Sequence, residues 1–281
     1  MKKSKLAHSL LETMLYSFSM LIVAACLFSC DTDDHNGSKQ SGLLRLNLVA
    51  DTTSLKKGVD SSTRTISTKD EFAQFLITSD YKIRIVQGKD TVQAFKRYDE
   101  MPSEMRLQEG AYTLVAYKGD DLPAAFENPY FEGNTDFTVK ADMSTPIDVT
   151  CTLSNARVTV DYTEDFKKVF TDCTASLKTS AKNAVSIEIA QNETRPAYLQ
   201  VAKDGTALSI TLRLKKVGEA KEITYPVPAA VPLERRQNVR LIFKTDGTES
   251  GLGLDIQIDD ELVKQDIWET IPDFMLPEET K

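Results

Sequence analysis

Histidine is almost missing from this chain. Only His8 and His35 occur, and both precede the first stretch that reads as a folded element. A body without imidazole excludes Ser-His-Asp and Cys-His triads, carboxylate–histidine metal sites and histidine proton shuttles together. Basic residues are the minority: 34 Lys and Arg face 42 Asp and Glu, a formal charge of −8. That balance argues against nucleic acid, because phosphate binding needs a clustered Lys/Arg surface. No glycine-rich loop follows a strand and opens a helix, so nucleotide binding has no support. What is present is an ordinary soluble composition, 41% hydrophobic and 27% charged over 281 residues. That length suits one large or two small domains with a sizeable core.

The amino terminus reads as an address. Lys2, Lys3 and Lys5 form a positive start, with Glu12 as an unhelpful acid, and an apolar stretch runs from Met14 to Phe28. It is short of the roughly 20 residues that span a bilayer but suits a secretory leader. Its end, Leu27-Phe28-Ser29-Cys30, resembles a bacterial lipobox, although Phe28 is bulky for its place. The expectation is a lipoprotein signal peptide at 1–29, cut before a Cys30 that takes the acyl chains; an ordinary signal with an incidental cysteine is the alternative. Cleavage would remove three Lys and one Glu and leave a net charge of −10. An anionic membrane surface repels such a body, so the lipid would do the holding. Residues 30–42 lack apolar side chains and read as a solvated tether. The Asp31, Asp33, Asp34 run does not fit an EF-hand, which needs a later glycine and glutamate at set positions. It resembles the surface-export signal of Bacteroidales lipoproteins, with a plain polar spacer as the alternative.

Beyond the tether the dominant period is two. Leu44/Leu46/Leu48, Tyr81/Ile83/Ile85, Val158/Val160/Tyr162, Val185/Ile187/Ile189, Leu208 to Leu214, Val239/Leu241/Phe243 and Leu252 to Ile258 alternate with mostly polar neighbours. That is the pattern of strands with one buried and one wet face. Gly88-Lys89-Asp90, Lys203-Asp204-Gly205 and Asp246-Gly247 sit between such runs as turns. Helical signals are brief: a capping box at Thr68–Glu71 opens a helix to about Ile77, and Thr163 to Phe170 gives two turns. Pro226, Pro228 and Pro232 exclude a central strand there and suggest an extended crossover at a sheet edge. The expected architecture is all-β, with two tandem immunoglobulin- or transthyretin-like sandwiches at 43–150 and 151–270 and a tail at 271–281.

Cys26 would leave with the leader, while Cys151 and Cys173 fall on inward-facing positions. A disulfide is open outside the cytoplasm, but two buried thiols are the expectation. The acidic clusters Asp120-Asp121 and Asp259-Asp260-Glu261 follow strands and read as solvated turns rather than a glycosidase pair. Tyr117, Phe126, Tyr130 and Phe131 fall close together around a loop. Aromatic faces on a loop can stack on sugars, which makes Tyr117, Tyr130 and Phe131 ligand candidates. The alternative is that these rings pin the loop to the body.

Gly110-x-Tyr112-Thr113-x-x-Ala116, Ala125-Phe126-x-x-Pro129-Tyr130-Phe131-x-Gly133 and Cys151-Thr152-Leu153-x-Asn155-Ala156-x-Val158-x-Val160, in this order, resemble a family of Bacteroidales surface lipoproteins. That family is a domain of unknown function related to fimbrillin-like proteins. Asp51-Thr52-Thr53 and Asp90-Thr91-Val92 also resemble the short O-glycosylation motif of this phylum. The resemblance implies tandem β-sandwiches, anchoring in the outer membrane by lipid such as palmitate on Cys30, and display at the cell surface. It implies a structural or adhesive role with a surface polymer, glycan or fimbrial subunit as partner. No catalytic residue, cofactor or metal is expected. A glycan-binding lipoprotein of a polysaccharide uptake system is the alternative reading.

Overall fold

The computed structural model describes residues 40–53, 71–245, 251–258 and 261–270. The leader with Cys30, the tether before Gln40, the cap at 68–70, the Asp246-Gly247 turn, Asp259-Asp260 and the tail from 271 lie outside them.

The described chain is predominantly β. In chain order the strands are β1 (Ser41–Asp51), β2 (Lys82–Gln87), β3 (Asp90–Phe95), β4 (Met105–Gln108), β5 (Gly110–Lys118) and β6 (Ala124–Phe126). There follow β7 (Phe131–Val139), β8 (Ser144–Leu153), β9 (Asn155–Tyr162), β10 (Phe170–Thr179), β11 (Ile187–Ala190) and β12 (Ala197–Gln200). The last five are β13 (Thr206–Lys216), β14 (Glu222–Leu233), β15 (Asn238–Lys244), β16 (Gly251–Ile258) and β17 (Glu261–Thr270). The alternation in sequence becomes alternation in burial. Leu44 and Leu48 point inward while Arg45 and Asn47 meet water, and every second residue of β13 from Leu208 to Lys216 is buried. The Gly88-Lys89 and Lys203-Asp204 turns stand where the sequence places them.

Seven strands form one sheet in the order β3-β2-β5-β7-β8-β1-β4. Its middle is a hinge: β7 meets β8 through only two residue pairs, Phe131 with Leu153 and Glu132 with Thr152. The halves on either side curl toward each other, so that Ile83, Leu114 and Phe137 share one buried cluster with Leu44, Ile147 and Val149. The four-stranded sheet β11-β10-β13-β14 and the six-stranded sheet β17-β16-β15-β9-β12-β6 contribute to a second cluster, with Phe170, Leu212, Leu241 and Phe243 among its members.

Local departures from the sequence reading have local causes. Ser41 and Gly42, expected in the tether, already belong to β1. In place of the helix expected to run to about Ile77 stand two short 3-10 turns, Ala73–Leu76 and Thr78–Asp80. Phe72 and Phe75 both enter the core, and their spacing of three residues fits a three-residue turn. Thr163 to Phe170 does hold a short helix, α1 (Glu164–Val169), capped by the Thr163 hydroxyl, which accepts the Phe166 N–H at 3.2 Å. The proline segment is a strand, β14, at the edge of its sheet, where a missing N–H interrupts no ladder. Register shifts there, with three residues (228–230) lying opposite Ser209. Val185 stays outside β11 and half exposed.

Candidate functional site

The aromatic loop lies where the two buried clusters meet. Gly119 opens it with φ +92°, and a side chain there would collide with the Pro129 carbonyl, so glycine alone lets the returning chain pass. The loop is fastened to the far side. The Glu127 N–H donates to Pro196 O at 3.1 Å, and β6 pairs with β12. The Tyr130 N–H donates to Asn155 Oδ1 at 2.8 Å, while Tyr130 O accepts the Ser154 N–H at 2.8 Å.

The three ligand candidates therefore have different fates. Phe131 is fully buried, stacked on Phe75 at 4.6 Å and edge-on to Phe72 at 5.5 Å. Tyr130 is buried as well; its hydroxyl donates to Glu132 Oε2 at 2.8 Å, and burial, with that bond, raises its pKa. Only Tyr117 is partly open. Its ring lies 6.2 Å from Tyr130, with Lys82 at 5.7 Å and Arg84 at 5.3 Å from its centre. Phe126 leans on the second core, with Arg195 at 4.7 Å from its ring centre. The rings thus fasten the loop and present no shared platform, because their area contributes more buried than wet.

Around them sits a polar clasp that sequence reading missed. Arg157 on β9 is buried, donates to Glu71 Oε2 at 3.1 Å and to Asn238 Oδ1 at 2.9 Å, and Glu71 also accepts the Tyr198 hydroxyl. Tyr198 belongs to β12 yet packs in the first core, its ring 6.3 Å from Phe72. Next to this, Arg236 donates to Asp51 Oδ2 at 3.0 Å and to Thr53 O at 2.9 Å. Arg236 takes a left-handed φ of 69°, a conformation side chains avoid unless their surroundings hold them in it. Here its N–H donates to Asn155 O at 3.0 Å. Glu71 is thus tied to the start of β9, and Asp51 and Thr53 to the β14–β15 turn. One signal was available: Asn155 and Arg157 interrupt an apolar strand, and buried polar groups need partners.

The remaining cysteines are separate. Cys151 lies in the first core and Cys173 in the second, both free thiols. Burial pushes each thiol up to about 12. Alkylation of the native chain at neutral pH should therefore spare Cys151 and Cys173, and both should react once denaturant is added; modification of either in the native state would contradict their placement. The pH dependence has a definite sign. Unfolded thiols ionise near 9 while the folded ones stay protonated, so these groups lower stability as pH rises from about 9 toward 12.

Among the described residues no group of three or more His, Cys, Asp or Glu side chains is placed to hold a metal. None of the described helices is long and apolar enough to cross a membrane.

The family model of Domain of unknown function (DUF4493) matches residues 40–273. Among solved structures, the chain is similar to a fimbrial assembly protein from Parabacteroides distasonis, at 12% identity and TM-score 0.42, covering 83% of this chain and 98% of that one. It is similar to a proposed adhesin from Bacteroides ovatus, at 8% identity and TM-score 0.45, covering 82% and 95%. Proposed polysaccharide binding proteins (DUF1812) from Bacteroides thetaiotaomicron give 8% identity and TM-score 0.39, covering 84% and 100%. No protein of curated function matches the chain.

Proposed function

The chain belongs to the family of Domain of unknown function (DUF4493), and on that footing we propose that it is a non-catalytic, lipid-anchored cell-surface protein with a structural or adhesive role. Its two clusters of buried side chains are the cores of two tandem β-sandwiches, dividing close to Thr150, where Ser154 alone separates β8 from β9. The observation that carries the reading is the clasp. Glu71, Arg157, Tyr198 and Arg236, together with the Tyr130 backbone, fasten one core to the other. A chain that commits its aromatic and buried polar groups to holding two units together suits a rigid spacer or adhesive stalk better than a flexible capture device. Support for the anchor comes from the leader, where Leu27 and Ser29 precede Cys30. Several acyl chains hold far more firmly than one, at about 0.8 kcal/mol per buried CH₂.

Metabolic labelling with an alkyne fatty acid tests the anchor. The natural chain should take the label and fractionate with outer membranes, and Cys30→Ala should take none and be released or left uncleaved. A labelled Cys30→Ala protein would remove the lipoprotein assignment. Digestion of intact cells with external protease then tests surface display, since a chain facing the periplasm would be protected.

A further inference from the structure

The seven-stranded sheet ends at β3 on one side and β4 on the other, yet residues of both ends line a single cleft of about 280 Å³. The curl of the sheet therefore brings its two edges to face each other across a gap. Gln87 from β2, Gln93 from β3 and Arg106 and Gln108 from β4 stand around it, and Tyr112 of β5 closes the floor. A second cleft of about 440 Å³ meets the first at Tyr112 and includes Thr113 and Asp136. Tyr112 is held in place: its hydroxyl donates to Gln108 O at 2.9 Å, and its ring stacks on Phe137 at 5.6 Å. Gly110, at φ +156°, gives room for Gln87, whose Nε2 lies 2.7 Å from where a side chain would begin.

We propose that this paired cleft binds a short saccharide bearing a carboxylate, a uronate ring in the first cleft and a neighbouring ring in the second. The chemistry of the walls carries the assignment. Three carboxamides each offer two N–H donors and a carbonyl acceptor, and sugar hydroxyls need both kinds of partner side by side. Arg106 gives one donor to Ser41 Oγ at 2.9 Å and keeps the rest of its fork for a carboxylate. No acidic side chain among the described residues lines the first cleft, so nothing there competes for that fork. In the second cleft Asp136 accepts the Thr113 hydroxyl at 2.6 Å through Oδ1, and a carboxylate's second oxygen can accept a sugar hydroxyl. The first volume lies at the lower end of ligand pockets and suits one ring. A peptide strand fits less well, since the two open edges, β3 and β4, are only six and four residues long. The site is distinct from the aromatic loop and does not depend on the anchor.

Calorimetric titration of the full chain decides this, with disaccharides of glucuronate, galacturonate and mannuronate and their neutral counterparts as probes. At least one uronate should bind about tenfold tighter than its neutral counterpart, the size of one charge-assisted contact. Arg106→Gln should abolish that ratio, and Gln93→Ala with Gln108→Ala should weaken both forms. All three side chains are exposed, so the variants should keep the natural unfolding midpoint. The proposal fails if a folded chain binds none of the probes. It also fails if binding survives these substitutions, or if an extended peptide occupies the cleft and no saccharide does.

Discussion

Phe131→Ala should lower the unfolding free energy by about 3–5 kcal/mol, the usual cost of deleting a buried aromatic ring. Phe131 is fully buried between Phe72 and Phe75, and it opens β7 at the hinge of the seven-stranded sheet. A cavity there cannot collapse easily, because Leu153 and Lys118 hold the backbone from both sides. Tyr117→Ala, a few residues away in space and partly exposed, should cost about 1 kcal/mol or less. Denaturant midpoints of the two variants separate packing from display. A Phe131→Ala chain within 1 kcal/mol of the natural one would mean that the ring is not core.

The next largest effect is expected at the clasp. Arg157→Ala leaves the Glu71 carboxylate beside Tyr198 without its cation and should cost about 2–3 kcal/mol. The figure sits below that of a fully buried pair, since the Glu71 side chain keeps 24% of its exposure. Because the lost bonds join the cores, the consequence should be seen in cooperativity as well as in stability. The natural chain is expected to melt in one calorimetric transition, and Arg157→Ala in two that are separable. A variant that still melted in a single transition at an unchanged temperature would leave the clasp without a role in joining the two buried clusters.

The strands were legible because one face of each is buried, and a period of two is written directly into the residues. Leu208, Ile210, Leu212 and Leu214 could be assigned to a strand with no knowledge of their partners. The helix at Thr163 was legible for the same kind of reason: its cap, its two turns and its Phe166–Phe170 stripe are all local. Phe131, by contrast, looked the same in sequence as an exposed sugar-stacking ring. Whether a ring on a loop faces solvent depends on Phe72 and Phe75, which come from a segment more than fifty residues earlier.

By itself, then, the sequence determined the class: a predominantly β body without imidazole. Local propensity and pattern suffice for that, since each acts within a few residues. Tertiary structure alone decided where the two buried clusters meet and what lines the surface. Arg157 and Glu71 are 86 residues apart, Arg236 and Asp51 185 apart, and the edges that frame the cleft meet only because the sheet curls. Such pairings follow from how sheets twist and pack and from the need of each buried charge for a partner. Residues that meet only across the fold leave no periodic mark along the chain.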